Sequence, residues 1–594
     1  MSGPDLADEA SATTPDGPPL TRGVLLLLAS ATLFVVGLAL LPLTTFALFG
    51  SDTGEYFRLS SDLAAYGHLP TSGYAGWGFA YPDFPGLFVL TAAAAGAGNV
   101  GVLAALEVVV PVTAALGILP LFLLFRQLVR SPAIALLGAA LGAVYMPHLF
   151  SIAHPAPLAI GDFLAVAGIW LFVEGRRDRR WYAPLAVVAG ALLVTHHLSS
   201  YFFLVGAAGG LVLLELWRPG TWSTRFPARE LVFLGGFAAA LIAYWLVAAP
   251  EFVSALRTGL PALTPAWAAP AVVVVALGIV GLAGLVRWRR HTAGRRPSVR
   301  YPSSRSIGRD LALVAIATFA GILAVTVVPL PGTSQRTVLG AVVFFGPLLA
   351  TIPLSAGSRR LVTFWRTGPF VVTWLAAVGI SALGALVVPN QDLPAARSAE
   401  YLLLPLGLLV AVGVGHLLAR WAVPRGRPAL VAGGIAVALL VAANGAIAYP
   451  PPADLGGFQE GLTVGDATLW LWAGVGLPQW AAVASDHRLS SMLWGFDGNP
   501  ATWDSTPGLF IGTDPSIAAA ELRSSGAPHD PPRAIDAVAI DATMFTGTAL
   551  DPGALAAPMS PAAIAWFGHP PFVPLYENGP EVVYWIDGPV GSVG

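Results

Sequence analysis

The chain has no cysteine, and all 31 of its basic residues are arginine. The first absence rules out disulfides, thiolate metal sites and cysteine nucleophiles, so any bound metal must take oxygen or imidazole ligands. Charge is scarce as well: 11% of the 594 residues are charged against 56% hydrophobic, with a mean hydropathy of +0.71. That much apolar surface exceeds what a water-facing fold can bury, which excludes an ordinary soluble protein. Residues 1–20 hold no basic residue and are polar, acidic and rich in proline. They read as a disordered cytoplasmic tail and not as a secretory signal.

What remains is a polytopic, all-α membrane protein. A bilayer core needs roughly 20 apolar residues per helix, and about thirteen such segments lie between residues 23 and 448, among them 131–150, 181–196, 199–217, 267–286, 311–329, 337–356 and 368–388. Arginine sets the orientation. With the N-terminus inside, Arg22, Arg126, Arg130, the cluster Arg176 to Arg180, the run Arg287 to Arg309 and most others fall on the cytoplasmic side. Only Arg58, Arg257, Arg336, Arg397, Arg488, Arg523 and Arg533 fall outside, as the positive-inside rule requires. Counting Phe84 to Ala97 as a span would reverse every later loop, so it is expected to be a short interfacial helix.

Residues 21–448 thus form the membrane part, and residues 449–594, richer in charge and proline, a small α/β domain on the outer face. Ile535 to Ile540 reads as a strand, and Asn578-Gly579 between two alternating runs as a hairpin turn. A helix over 466–480 is expected to be capped by Asp466. Asp486-His487-Arg488 has the look of a catalytic cluster, but a capped helix start after a strand at 481–485 accounts for it.

The loop 50–85 gathers Asp52, Glu55, Arg58, Asp62, His68 and Asp83 directly after the first span. Asp52-Thr53-Gly54-Glu55 has two readings that do not exclude each other. One is a capping box, with Asp52 as N-cap and Glu55 reaching back. The other places two carboxylates on one helical face, converging on a substrate hydroxyl or a hard cation.

A first span followed by an outward acidic pair, a short helix from Tyr56 to Tyr66 and a Tyr81-Pro82-Asp83-Phe84-Pro85 turn resembles the GT-C superfamily of integral membrane glycosyltransferases. Weaker echoes are Thr195-His196-His197-Leu198-Ser199-Ser200 and Arg397 to Pro405. No WWDYG signature is present, which disfavours transfer of a whole oligosaccharide to asparagine. The resemblance implies a sugar donor on a polyprenyl phosphate, dolichyl or undecaprenyl, and an acceptor that is a protein, lipid or glycan. It also implies Asp52 as general base with Glu55 as its partner, on the outer face of the cytoplasmic membrane. Because phosphate is a good leaving group, one carboxylate can suffice, with inversion.

The lipid phosphate needs donors, and Arg397, then Arg336, are the first choices; for each, an interfacial anchor or a salt bridge such as Arg397 with Glu400 is the alternative. His148, His154, His196 and His197 share the outer side and could meet phosphate or metal. A divalent cation, Mg2+ or Mn2+, suits the acidic pair. His154-Pro155-Ala156-Pro157 stands where relatives carry an acid, a departure that counts against a metal-dependent mechanism. Within the spans, Glu107 and Asp162 are costly enough to mark a cavity or an interhelical hydrogen bond, the latter favoured for Glu107. Tyr81 and Asp83 complete the expected substrate site. No nucleic-acid partner is expected. The rival readings are a lipid or glycan transporter, which the absence of a clear internal repeat disfavours, and a non-catalytic scaffold.

Overall fold

A computed structural model of the protein describes residues 20–70, 74–129, 131–217, 228–259, 304–327, 340, 342–358, 368–387, 397–452, 459–526, 531–549 and 557–588. Among them, seven helices are long and apolar enough to cross a membrane: Arg22–Ala39 (α1), Val102–Leu128, Pro157–Gly175, His197–Leu216, Ala228–Val247, Ser398–Arg425 and Arg427–Ala446. An eighth crossing arises if the pair Pro132–Val144 and Met146–Ala153, bent by 63°, is one span.

The expected thirteen are therefore not reached among the described residues, for reasons that lie in the chain. The segment 131–150 breaks at Tyr145, whose extended backbone (φ −61°, ψ 134°) precedes Pro147. His196 is likewise extended (φ −156°, ψ 122°) and divides a helix of 14 residues, Tyr182–Thr195, from the next one. The segment 337–356 is interrupted, an α-turn at Gly346–Thr351 running into a 3-10 stretch at Ile352–Ser358. Helices do occupy 304–327 and 369–387. The segment 267–286 and the tail 1–19 lie outside the described residues.

Lipid offers little hydrophobic drive between helices, so close packing has to hold the bundle. Pro132–Val144 and Ser398–Trp421 meet through glycines: a Cβ on Gly407 would stand 2.6 Å from both the Gly138 oxygen and the Gly142 nitrogen. Phe122, Phe125, Phe172 and Phe203 fill the buried interior beside them.

Between the first two spans lie the helices Thr53–Tyr66 (α2) and Gly86–Gly98 (α3). α3 has 13 residues, roughly 20 Å at the α-helical rise and short of a bilayer core, as the arginine pattern required. The strand Leu48–Phe49 (β1) pairs antiparallel with Gly461–Leu462 (β2), joining the entrance of the loop to the C-terminal region. A π-turn at Ala105–Val109 turns Glu107 inward, where its Oε2 accepts the Phe49 amide at 3.2 Å. Glu107 thus secures the strand β1, where a hydrogen bond between helices was expected.

The C-terminal region holds a four-stranded sheet of order β3-β4-β6-β5, from Val483–Ala484 (β3), Ala537–Asp541 (β4), Phe572–Glu577 (β5) and Glu581–Ile586 (β6). β3 runs parallel to β4 and the other pairs are antiparallel, with Asn578-Gly579 between β5 and β6. The helix Val464–Gly476 begins with a true capping box, but Thr463 is the N-cap and Asp466 the third helical residue. The sequence permits either assignment, and the hydroxyl wins because Asp466 can then reach back to the Thr463 amide at 2.6 Å.

Candidate active site at the first loop

α2 starts at Asp52, yet the Asp52 side chain makes no capping hydrogen bond. The amide that it would normally cap, Glu55 N–H, is taken by Ser491 Oγ at 3.2 Å. This substitution is possible because α2 meets the C-terminal region backbone to backbone. A Cβ on Gly54 would lie 2.1 Å from the Ser491 oxygen, and one on Gly495 2.0 Å from the Gly54 oxygen. Only glycine at both positions allows that approach.

Released from capping, the Asp52 carboxylate meets side chains. Its Oδ1 is 2.7 Å from His487 Nε2, and His487 Nδ1 is 3.1 Å from Asp504 Oδ2. Its Oδ2 accepts from Tyr56 and Tyr81 hydroxyls at 3.2 and 3.3 Å, and those hydroxyls are 3.1 Å apart. Asp52 keeps 21% side-chain exposure against 5% for His487, so the carboxylate is held yet reachable. Burial opposes charge on His487, but the hydrogen bonds that its ring donates to Asp504 and Asp52 hold its pKa well above the ordinary range. The edge of Trp77 closes over the ring, centroids 4.8 Å apart.

Glu55 is fully buried, and burial followed by the neighbouring charge of Asp52 pushes it up to about 8. It accepts a hydrogen bond from the Tyr74 hydroxyl and another from the Gly78 amide at 2.9 Å. Near neutral pH Glu55 is thus neutral and braces the loop.

His487 opens the helix His487–Met492, with Asp486 as N-cap accepting from Leu489 N at 2.8 Å. The capped start read from the sequence is real, and the histidine faces the site as well. Arg488, the next residue, is 2% exposed and sits among Asp466, Asp486 and Asp541. It also donates to the β2 carbonyl of Gly461 at 3.1 Å. One buried guanidinium therefore fixes the His487 helix relative to the strand that pairs with β1.

Of the residues expected in the site, Asp52, Glu55 and Tyr81 come together. His154 is a neighbour of the loop: its Nε2 is 3.3 Å from Glu460 Oε2, which accepts the Ser51 amide at 3.2 Å. Asp83 offers its backbone carbonyl to the Tyr244 hydroxyl, and burial raises its carboxyl to about 6, with Glu251 adding to the rise. His196, His197 and Asp162 belong to a separate cluster; Phe84 reaches it, its ring 5.4 Å from that of His197. Arg397 is exposed and acts electrostatically on His196, His197 and Glu400. Arg336 lies outside the described residues. Tyr56, Tyr74, Asp504 and Glu460 join the site without having been anticipated.

No family model matches the sequence, and no curated protein matches it significantly. Solved structures do. The archaeal oligosaccharyltransferase AglB from Archaeoglobus fulgidus, in complex with an inhibitory peptide and a dolichol-phosphate, aligns at a TM-score of 0.50 and 17% identity over 88% of this chain and 70% of that one. The same enzyme tethered to an acceptor peptide gives 0.50 and 15% over the same shares. ArnT from Cupriavidus metallidurans bound to undecaprenyl phosphate aligns over 95% of this chain and 98% of that one, at a TM-score of 0.34 and 13% identity. The chain shares the fold of the Archaeoglobus oligosaccharyltransferase, a membrane glycosyltransferase of the GT-C kind that the first loop resembles.

Proposed function

We propose that the protein is a GT-C type membrane glycosyltransferase that moves a sugar from a polyprenyl-phosphate carrier to a protein, lipid or glycan acceptor, with Asp52 as general base. The observation that carries this reading is the state of Asp52, an N-terminal helix residue relieved of capping and fastened to His487 at 2.7 Å. Ser491 Oγ takes the amide that an N-terminal aspartate would cap, a contact worth about 1 kcal/mol, and the carboxylate is left to His487 and the two tyrosines.

In the proposed step the acceptor hydroxyl gives its proton to Asp52 as its oxygen bonds to the anomeric carbon. The bond from that carbon to the carrier's phosphate oxygen breaks, and polyprenyl phosphate leaves with the electron pair. One displacement inverts the anomeric centre. His487 and Asp504 are positioning residues, holding the carboxylate aimed much as an acid behind a histidine orients a catalytic triad. Neutral Glu55 avoids a second charge that would repel the leaving phosphate. Arg397 is the proposed contact for that phosphate, and the reaction is placed on the outer face of the cytoplasmic membrane with residues 449–594 outside. The bound dolichol-phosphate of the Archaeoglobus neighbour supports the carrier class.

The test is transfer by purified protein from a panel of polyprenyl-phosphate sugars, comparing wild type with Asp52→Asn. The reading requires turnover in the first and its loss in the second while lipid phosphate still binds. Equal turnover in both would refute it.

A further inference from the structure

We propose that His148, Asp162 and Glu400 bind one divalent transition-metal cation, Zn2+ or Mn2+, inside the helix bundle. The site shares no residue with the Asp52 cluster. The break at Tyr145 carries His148 into the bundle, where it is 4% exposed; Asp162 from Pro157–Gly175 is 0% and Glu400 from Ser398–Trp421 is 2%. One ligand atom from each lies within 4.8 Å of the other two.

The hydrogen bonding is incomplete in a way that a cation completes. His148 Nδ1 is 3.1 Å from Glu400 Oε1 and 4.0 Å from Asp162 Oδ2. That nitrogen carries at most one hydrogen and cannot serve two acceptors. Asp162 Oδ1 takes Ser199 Oγ at 3.2 Å and the Tyr401 hydroxyl, whereas Oδ2, equally buried, meets no hydrogen-bond donor. Ser199 in turn is 2.8 Å from both Tyr401 and His196. Asp162 is thus oriented from behind with one oxygen left over, the arrangement of an outer shell around a metal ligand.

Distance and charge agree. Three atoms bonded to one zinc stand roughly 3.4 Å apart, and the observed 3.1 and 4.0 Å bracket that value. Two carboxylates beside one imidazole leave net negative charge in a membrane bundle, which is costly. A divalent ion cancels it. Mixed nitrogen and oxygen ligation favours Zn2+ or Mn2+ over Ca2+ or Mg2+, which prefer oxygen alone. The ion would join three helices and fix the helix end that carries Arg397, three residues before Glu400.

Elemental analysis of the full chain, purified in detergent and loaded with Zn2+ or Mn2+, should find one ion per chain. It should be lost in Asp162→Asn and Glu400→Gln and kept in Asp52→Asn. The cation should raise the wild-type melting temperature by about 5 °C, reversed by chelator. Since those variants alter a buried cluster, Mn2+ electron paramagnetic resonance on the wild type gives a second reading, in which coupling to one imidazole nitrogen is expected. Three results overturn the proposal: no ion and an unmoved melt, meaning that Asp162 and Glu400 only share a proton; an ion retained in both variants; or an ion lost in Asp52→Asn. Asp52→Asn that keeps its metal but loses transfer separates this site from the base.

Discussion

Ser491 Oγ receives the amide hydrogen of Glu55 at 3.2 Å, occupying the place at the start of α2 that the side chain of Asp52 would otherwise fill. That exchange sets the orientation of the proposed base. In Ser491→Ala the amide is vacated and Asp52 can turn to cap it, a competition worth about 1 kcal/mol. The turnover number should fall about tenfold with little change in melting temperature, measured by steady-state transfer and a thermal melt on the same preparation. A large drop in melting with normal turnover would show Ser491 to be structural alone.

His487 and Asp504 should act as one unit. Replacing His487 by Ala, or Asp504 by Asn, is expected to lower turnover by about 100-fold, the double variant scarcely more than either alone. A merely structural histidine would give additive losses and an unchanged pH profile, so a full double-mutant cycle with pH profiles decides between the two.

Glu55 gives a signed pH effect. Burial raises it in the folded chain from the ordinary 4.5 to about 8. Its contribution to stability is complete below 4.5 and is lost as pH climbs through about 8. Glu55→Gln keeps an oxygen for Tyr74 and Gly78 but cannot ionise. Its melting temperature should stay flatter than the wild type's over that interval, and the activity limb near pH 8 should vanish. Any alkaline decline that persists belongs to His487, whose raised pKa likewise gives stability lost with rising pH. Parallel melts in a buffer series read both.

Arg488 is the one cation that three buried carboxyl groups share, so Arg488→Leu leaves Asp466, Asp486 and Asp541 without it. Breaking such a cluster from one side costs about 3–5 kcal/mol. Denaturation followed by tryptophan fluorescence should show the C-terminal region melting early. Transfer should be lost with it, because the His487 helix is no longer anchored to β2.

Much of this was legible in the sequence. Long apolar runs located the seven spans that the described residues hold, the Asn578-Gly579 pair located the β5–β6 turn, and the density of acids after the first span drew attention to Asp52 and Glu55. Two kinds of feature were not. The break at Tyr145 falls inside apolar text, where a single extended residue barely changes hydropathy; Pro147 was the available hint. The other kind is long-range pairing. Local spacing explained Asp486-His487-Arg488 as a helix start, correctly, and nothing local reveals that the same histidine faces Asp52.

His487 and Asp52 stand 435 positions apart in the chain. A nascent polypeptide therefore holds Asp52 long before the matching imidazole has been synthesised, and any product cut short ahead of residue 487 carries that acid without its counter-charge. With Asp52 as the proposed base, competence arrives last, when the trailing segment folds back onto the opening loop, and an unfinished molecule is expected to be silent.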